Sequence, residues 1–159
     1  MINSLSHKML LIGFGNPARE DDGIGPAVAG EIENLEIEGL SVDSDYQLTI
    51  EDAAFVAEHD SVVFVDASVE GGEPFTFSHL SPKRSDSFSS HSVTPETVMG
   101  LAHDLFNAKT EGYLLGIRGY SFDMFTEKMT PGALENKRKA VEFLVPMLCA
   151  GSFHPNDLK

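Results

Sequence analysis

The sequence has no tryptophan, a single cysteine and no long apolar run. The lone Cys149 excludes an internal disulfide framework and is typical of a protein from the reducing cytoplasm. No apolar stretch reaches the roughly 20 residues of a membrane helix, and the polar residues 1–8 do not favour a secretory signal. We therefore expect a cytoplasmic protein without a membrane span.

Basic residues are missing from a large part of the chain. From Glu20 to Pro82 there is no Lys or Arg but there are sixteen Asp and Glu, and the net charge of the whole chain is −14. Such a surface repels nucleic-acid backbones, which are bound through cationic contacts. It attracts cations or a basic protein partner instead.

The 159 residues are expected to form one domain, 1–159, in which strands alternate with helices. Apolar runs predict strands at 9–14, 40–42, 61–65, 74–77 and 113–117. Helical spacing and N-cap signals predict helices at 26–35, 49–58, 94–107 and from 130, the last weakened or ended by Pro146. Segment 78–93 is predicted to be a loop. This alternation predicts a three-layer α/β sandwich around a mainly parallel sheet.

Acidic residues follow the two strongest predicted strands. Asp22 comes after the first strand and its glycine-rich turn, and Asp66 ends the strand that begins at Ser61. Open α/β sheets build their sites at the carboxyl ends of strands. Either acid alone is explained by a helix cap or a turn. If the two strands are neighbours, however, both carboxylates meet at one place, which favours a functional site.

His91 is the third candidate. Two carboxylates and one imidazole form an open site for a divalent metal, and this donor set suits nickel, zinc, manganese or cadmium. His79 follows a weak strand and competes for the same place. His103 lies inside a predicted helix, where we expect a surface or boundary residue.

Other chemistries find little support in the sequence. The Gly13–Ala18 turn lacks the third glycine of a dinucleotide fingerprint, and the acids after it would repel a pyrophosphate. Neither Gly-x-Ser-x-Gly nor His-Glu-x-x-His occurs. Cys149 is predicted to be a packing residue.

Four segments of the sequence resemble the maturation endopeptidases of nickel–iron hydrogenases, in the family's order and across most of the chain. They are Gly13-Phe14-Gly15-Asn16 with Asp21-Asp22-Gly23-Ile24-Gly25, then Val65-Asp66-Ala67, then Ser90-His91, and then Gly116-Ile117-Arg118-Gly119-Tyr120.

This resemblance implies an α/β fold with a five-stranded, mostly parallel sheet. It also implies that Asp22, Asp66 and His91 contact a metal and form the catalytic site. Asp21 is then structural. The segment after His91 differs from the family's, so Glu96 is an alternative third ligand.

The resemblance further implies a hydrolase, either an aspartic-type or a metal-assisted endopeptidase. Its substrate would be a hydrogenase large-subunit precursor, from which it removes a C-terminal extension after nickel insertion. The nickel would belong to the substrate and be contacted only transiently, so we expect no permanent cofactor. We expect a cytoplasmic monomer that binds neither nucleic acid nor membrane.

Two alternatives remain. Gly-Phe-Gly-Asn-Pro also resembles the opening of peptidyl-tRNA hydrolases, esterases that need a catalytic histidine soon afterwards and a basic surface. Here the next histidine is His59, and the surface is acidic. A non-catalytic, chaperone-like nickel sensor would keep the metal site and cut nothing.

Overall fold

The computed structural model describes residues 7–82, 93–123 and 125–153. Within these ranges the strands are β1 Met9–Phe14, β2 Leu40–Asp45, β3 Ser61–Ser68, β4 Phe75–Leu80 and β5 Glu111–Arg118. The helices are α1 Ile24–Asn34, α2 Glu51–Ala57, α3 Pro95–Phe106 and α4 Pro131–Ala150, and a 3₁₀ turn at Glu20–Gly23 precedes α1.

The strands form one sheet in the order β2-β1-β3-β5-β4, in which only β4 runs antiparallel to its neighbour. Helices α1 and α4 pack against each other, as do α2 and α3. The predicted three-layer sandwich around a mostly parallel, five-stranded sheet is therefore confirmed. We call the side where β1, β2, β3 and β5 finish the carboxyl end of the sheet, and the opposite side its amino end.

Side chains on the central strands alternate between two apolar cores, one on each face of the sheet. Leu11 of β1 and Val63 of β3 pack with α1 and α4. Leu10 of β1 and Phe64 of β3 pack with α2 and α3. Because both faces are covered, these strands are continuous apolar runs, which is why they were predictable from the sequence.

The order of the connections creates a crevice between β1 and β3. The chain passes from β1 through α1 to β2 on one side of β1, and then through α2 to β3 on the other side. Strand order thus reverses at β1, and open α/β sheets bind ligands outside the carboxyl ends of the strands at such a point.

Several details of the sequence prediction were wrong or incomplete. Cys149, predicted to be a packing residue, is exposed. β3 continues past Asp66 to Ser68, because its last residues pair with β5. β4 continues to Leu80 for the same reason, so part of the predicted loop 78–93 is strand. α4 passes through Pro146 and reaches Ala150. Pro146 is exposed, whereas Met147 and Leu148 are buried in the core, and their burial offsets the lost backbone hydrogen bond.

Candidate functional site

The structure brings Asp22 and Asp66 together at the crevice. β1 and β3 are parallel neighbours with Gly13 opposite Val65, so Asp66 lies level with the end of β1. Asp22 lies in the 3₁₀ turn that follows β1, and both side chains are half-buried. Two acids far apart in the sequence therefore share the place where the fold is expected to bind a ligand.

Gly25 allows the turn with Asp22 to approach β3. A Cβ atom at this position would lie 2.6 Å from the carbonyl oxygen of Val65 and 2.8 Å from the backbone nitrogen of Phe14. Only glycine lets α1 begin directly against both strands. This close approach places the 3₁₀ turn Glu20–Gly23, which contains Asp22, beside the end of β3.

Asn16 shapes the loop that carries Asp22. Its backbone N–H donates a hydrogen bond of 2.8 Å to Oδ2 of Asp22, and its own Oδ1 accepts one of 2.9 Å from the Ala18 N–H. Gly15 has a φ of 141°, and a side chain there would collide with the Asp22 carbonyl oxygen. The Gly-Asn pair thus fixes the orientation of the Asp22 carboxylate.

Asp66 has an unusual protonation equilibrium. Burial, and to a smaller extent the negative charge of Asp22, raise its pKa to about 7, although a hydrogen bond from the Ala67 N–H lowers it. A carboxyl group with such a pKa exchanges its proton near neutral pH, which suits a general acid or base. A cation that binds beside Asp66 would favour its ionised form, so this carboxyl group would release its proton when the cation binds.

Asp21 points away from this pair and is a structural residue. It is fully buried and accepts hydrogen bonds from the backbone N–H groups of Tyr120 (2.7 Å), Ser121 (3.1 Å) and Thr130 (2.8 Å), and from the Thr130 hydroxyl (2.8 Å). Burial raises its pKa, but these four bonds outweigh the effect, so the pKa lies below its ordinary value. Asp21 thereby ties Tyr120, Ser121 and Thr130 to the turn.

The third ligand is not supplied by the described residues. His91 lies outside them, so its role stays a prediction. The other candidate, Glu96, is half-buried in the first turn of α3. Within 7–82, 93–123 and 125–153, no three His, Cys, Asp or Glu side chains are arranged to hold a metal ion. Glu96 therefore does not complete a three-ligand site with Asp22 and Asp66 in this structure.

The competing histidines lie elsewhere. The prediction that His79 could reach the site is wrong, because β4 runs antiparallel and pairs His79 with Tyr113, near the amino end of the sheet. There its Nε2 lies 2.6 Å from Oε1 of Glu111. His103 is half-buried in the last turn of α3, as predicted for a boundary residue, and the chain then enters the amino end of β5.

His59 does not fit the peptidyl-tRNA hydrolase alternative. It follows α2, just before β3 starts, and its Nδ1 lies 2.8 Å from the Phe55 carbonyl oxygen. This position is at the amino end of the sheet, whereas the loop with the Gly-Phe-Gly-Asn-Pro motif is at the carboxyl end.

The Gly116–Tyr120 motif supports the segment that follows Asp66. Arg118 donates from Nη1 to the Gly71 carbonyl oxygen at 2.9 Å. The Tyr120 hydroxyl donates to Glu73 at 2.6 Å and accepts from Nδ2 of Asn136 at 2.9 Å. Sequence reasoning missed Glu73 and Asn136, because neither belongs to a recognisable motif.

Two surface cavities lie beside the connection from β1 to α1, and Pro17 and Pro26 line both of them. The first, of about 170 Å³, is lined by Gly15, Pro17, Pro26, Ser44, Asp45 and Tyr46. The second, of about 340 Å³, is lined by Pro17, Glu20, Gly23, Pro26, Ala27, Glu127 and Met129. Neither cavity is lined by Asp22 or Asp66, so both lie beside the acid pair.

Solved structures provide the informative comparison. A [NiFe] hydrogenase maturation protease HycI from Thermococcus kodakarensis is 22% identical, superposes with a TM-score of 0.67, and the match covers 90% of this chain and 92% of that one. The hydrogenase maturating endopeptidase HybD from Escherichia coli is 18% identical, with a TM-score of 0.63 and coverage of 89% and 91%. This chain has the fold of the hydrogenase maturation proteases.

A hydrogenase 2 maturation peptidase from a Thaumarchaeota archaeon shows the same likeness, with 18% identity, a TM-score of 0.63 and coverage of 89% of this chain and 97% of that one. The sequence matches no protein-family model, and the search of curated proteins finds no match. In the described ranges, none of the helices has the length and apolar character of a membrane span.

Proposed function

We propose that this protein is an endopeptidase that removes a C-terminal extension from the precursor of a nickel–iron hydrogenase large subunit. The observation that carries the proposal is the Asp22–Asp66 pair at the switch point of a sheet with this fold. The overall likeness to maturation proteases and the order of the sequence motifs support it.

In this proposal the enzyme recognises nickel that the precursor already holds. Asp22, Asp66 and His91 contact the ion, and oxygen and nitrogen donors of this kind bind nickel. Three protein ligands leave coordination positions for the ligands of the substrate. In the free enzyme Asp66 is about half protonated at neutral pH, because its pKa is about 7. Arrival of the cation favours its ionised form.

Hydrolysis needs a group that takes a proton from the attacking water and returns one to the leaving amine. In the free enzyme Asp66 has a pKa of about 7 and exchanges its proton near neutral pH. Once the nickel of the substrate has ionised it, Asp66 takes a proton from the attacking water and passes that proton to the leaving amine. Nickel bound in the substrate supplies a positive charge that polarises the scissile carbonyl or acidifies a water. Asn16 keeps the Asp22 carboxylate turned toward the crevice.

The test is an incubation of the purified protein with nickel-loaded and nickel-free forms of the same precursor. We expect intact-mass spectrometry to show a shortened precursor only in the nickel-loaded sample. Equal cutting of both forms would remove nickel recognition from the proposal. Binding of the loaded form without any cutting would favour the chaperone-like nickel sensor.

A further inference from the structure

Three large apolar side chains stand in solvent at the carboxyl end of the sheet. The exposed fractions are 70% for Tyr46, 63% for Val69 and 84% for Phe125. We call these three residues the apolar rim. None of them belongs to either core of the described structure.

Chain connections place the apolar rim around the acid pair. Tyr46 directly follows β2, the neighbour of β1 on one side, and Val69 directly follows β3, the neighbour on the other side. Phe125 lies in a segment tied to the loop after β1, since Thr126 O accepts a bond of 2.8 Å from the Glu20 N–H. These connections place the three side chains at the same end of the sheet as Asp22 and Asp66, on loops that follow β2, β3 and β5.

The charge around Tyr46 and Val69 indicates the kind of face that would fit this part of the apolar rim. Tyr46 and Val69 both lie in the stretch from Glu20 to Pro82 that has no Lys or Arg. Near them in sequence are Asp45 and Glu70, and both are exposed. A complementary partner therefore presents apolar side chains with basic residues at their margin.

We propose that the apolar rim is the docking surface for the folded body of the hydrogenase precursor, through an apolar patch with a basic margin beside its nickel site. This inference rests on the proposed function and adds to it: recognition extends beyond the ion and the scissile segment to a protein–protein contact. Aromatic residues such as Tyr and Phe are enriched at interfaces, and Tyr is among the residues that carry much of their binding energy. The surrounding acids speed and orient the encounter.

The experiment compares the parent chain with a triple variant, Tyr46→Ala, Val69→Ala and Phe125→Ala. The matched control is Leu35→Ala with Leu105→Ala, which removes apolar side chains that are 52% and 63% exposed near the amino end of the sheet. Calorimetry with the nickel-free precursor, which the proposed enzyme does not cut, gives a Kd that is independent of cleavage. Single-turnover cleavage gives the half-saturating enzyme concentration and the maximal rate.

We expect the triple variant to raise the Kd and the half-saturating concentration by about 10-fold or more, with the maximal rate within about twofold. The control variant should change neither the Kd nor the half-saturating concentration. The Kd of the parent should rise with added NaCl. Phe125→Ala alone, at the most exposed position, should raise the Kd by about threefold or more without a folding defect.

An unchanged Kd in the triple variant, or an equal rise in the control, would overturn the docking surface. A fall in the maximal rate at constant Kd would overturn it as well. If the parent binds the precursor but does not cut it, the proposed function fails while the Kd values still decide the docking surface. If the parent neither binds nor cuts, both proposals fail.

Discussion

The carboxylate of Asp22 lies close enough to Asp66 to raise the pKa of that group, although one follows β1 and the other lies near the end of β3. The pairing depends on β1 and β3 being parallel neighbours and on α1 starting directly against them at Gly25. Two ordinary acids thus become one site with a proton to exchange near neutral pH.

Asp22→Asn should lower the pKa of Asp66 and abolish most of the activity. Burial will keep that pKa above its ordinary value, but removal of the Asp22 charge takes away the second cause of the rise, so it should fall below 7. Carboxyl-carbon NMR titration measures this, and cleavage of the nickel-loaded precursor should fall by about 100-fold or more. Asp104→Asn, an exposed acid on α3, is the control. An unshifted Asp66 would show that the two groups do not interact.

Asp66→Asn should stabilise the folded chain at high pH. The pKa of Asp66 is higher in the folded chain than its ordinary value, so the folded chain binds the proton more tightly than the unfolded chain. This contribution is complete below about pH 4 and is lost as the pH rises to about 7. The parent should therefore lose up to about 4 kcal/mol across this window from this group, and the variant should not. Urea unfolding at pH 5 and pH 8 checks it; equal pH dependence in both proteins would contradict the pKa.

Asp21→Ala should destabilise the chain by about 3 to 5 kcal/mol. The substitution leaves the part-buried N–H groups of Tyr120, Ser121 and Thr130 without their acceptor. Urea unfolding gives the free energy of unfolding. Asp104→Ala, which removes an exposed acid, should change it by less than about 0.5 kcal/mol. A loss of activity without a loss of stability would instead place Asp21 in the catalytic site.

Gly25→Ala and Gly30→Ala, the same substitution in one helix, should have opposite effects. A Cβ at Gly25 meets backbone atoms of β1 and β3, so α1 must move, at a cost of about 1 to 3 kcal/mol. A Cβ at Gly30 meets nothing within 4 Å, and alanine there should stabilise the helix by about 0.5 to 1 kcal/mol. Thermal unfolding of the two variants checks the signs. Equal effects would show that the contact of α1 with the sheet is not as close as described.

Much of the fold was predictable because the central strands are buried on both faces. Met9–Phe14 has the same limits in the sequence and in the structure. Local caps were also legible: Thr94 and Thr130 each accept a hydrogen bond from the residue three positions on. The continuation of α4 through Pro146 could not be predicted in this way. It depends on the burial of Met147 and Leu148, which the helix-breaking tendency of proline does not take into account.

The site was only partly predictable. The positions of Asp22 and Asp66 after buried strands predicted that both lie at the carboxyl end of the sheet. That they lie next to each other could be known only from the strand order. The antiparallel direction of β4 removes His79 from the site, and no local pattern at His79 indicates that direction. The apolar rim was not predicted either, because its members are separate single residues in the sequence.

The account depends on the two carboxylates acting together in cleavage. The direct measurement is the intact mass of the nickel-loaded precursor after incubation with the parent, with Asp22→Ala/Asp66→Ala, or with Asp104→Ala. We predict that the parent and Asp104→Ala release the C-terminal piece and that the double variant leaves the precursor at full length. Cleavage by the double variant at the parental rate would contradict the account.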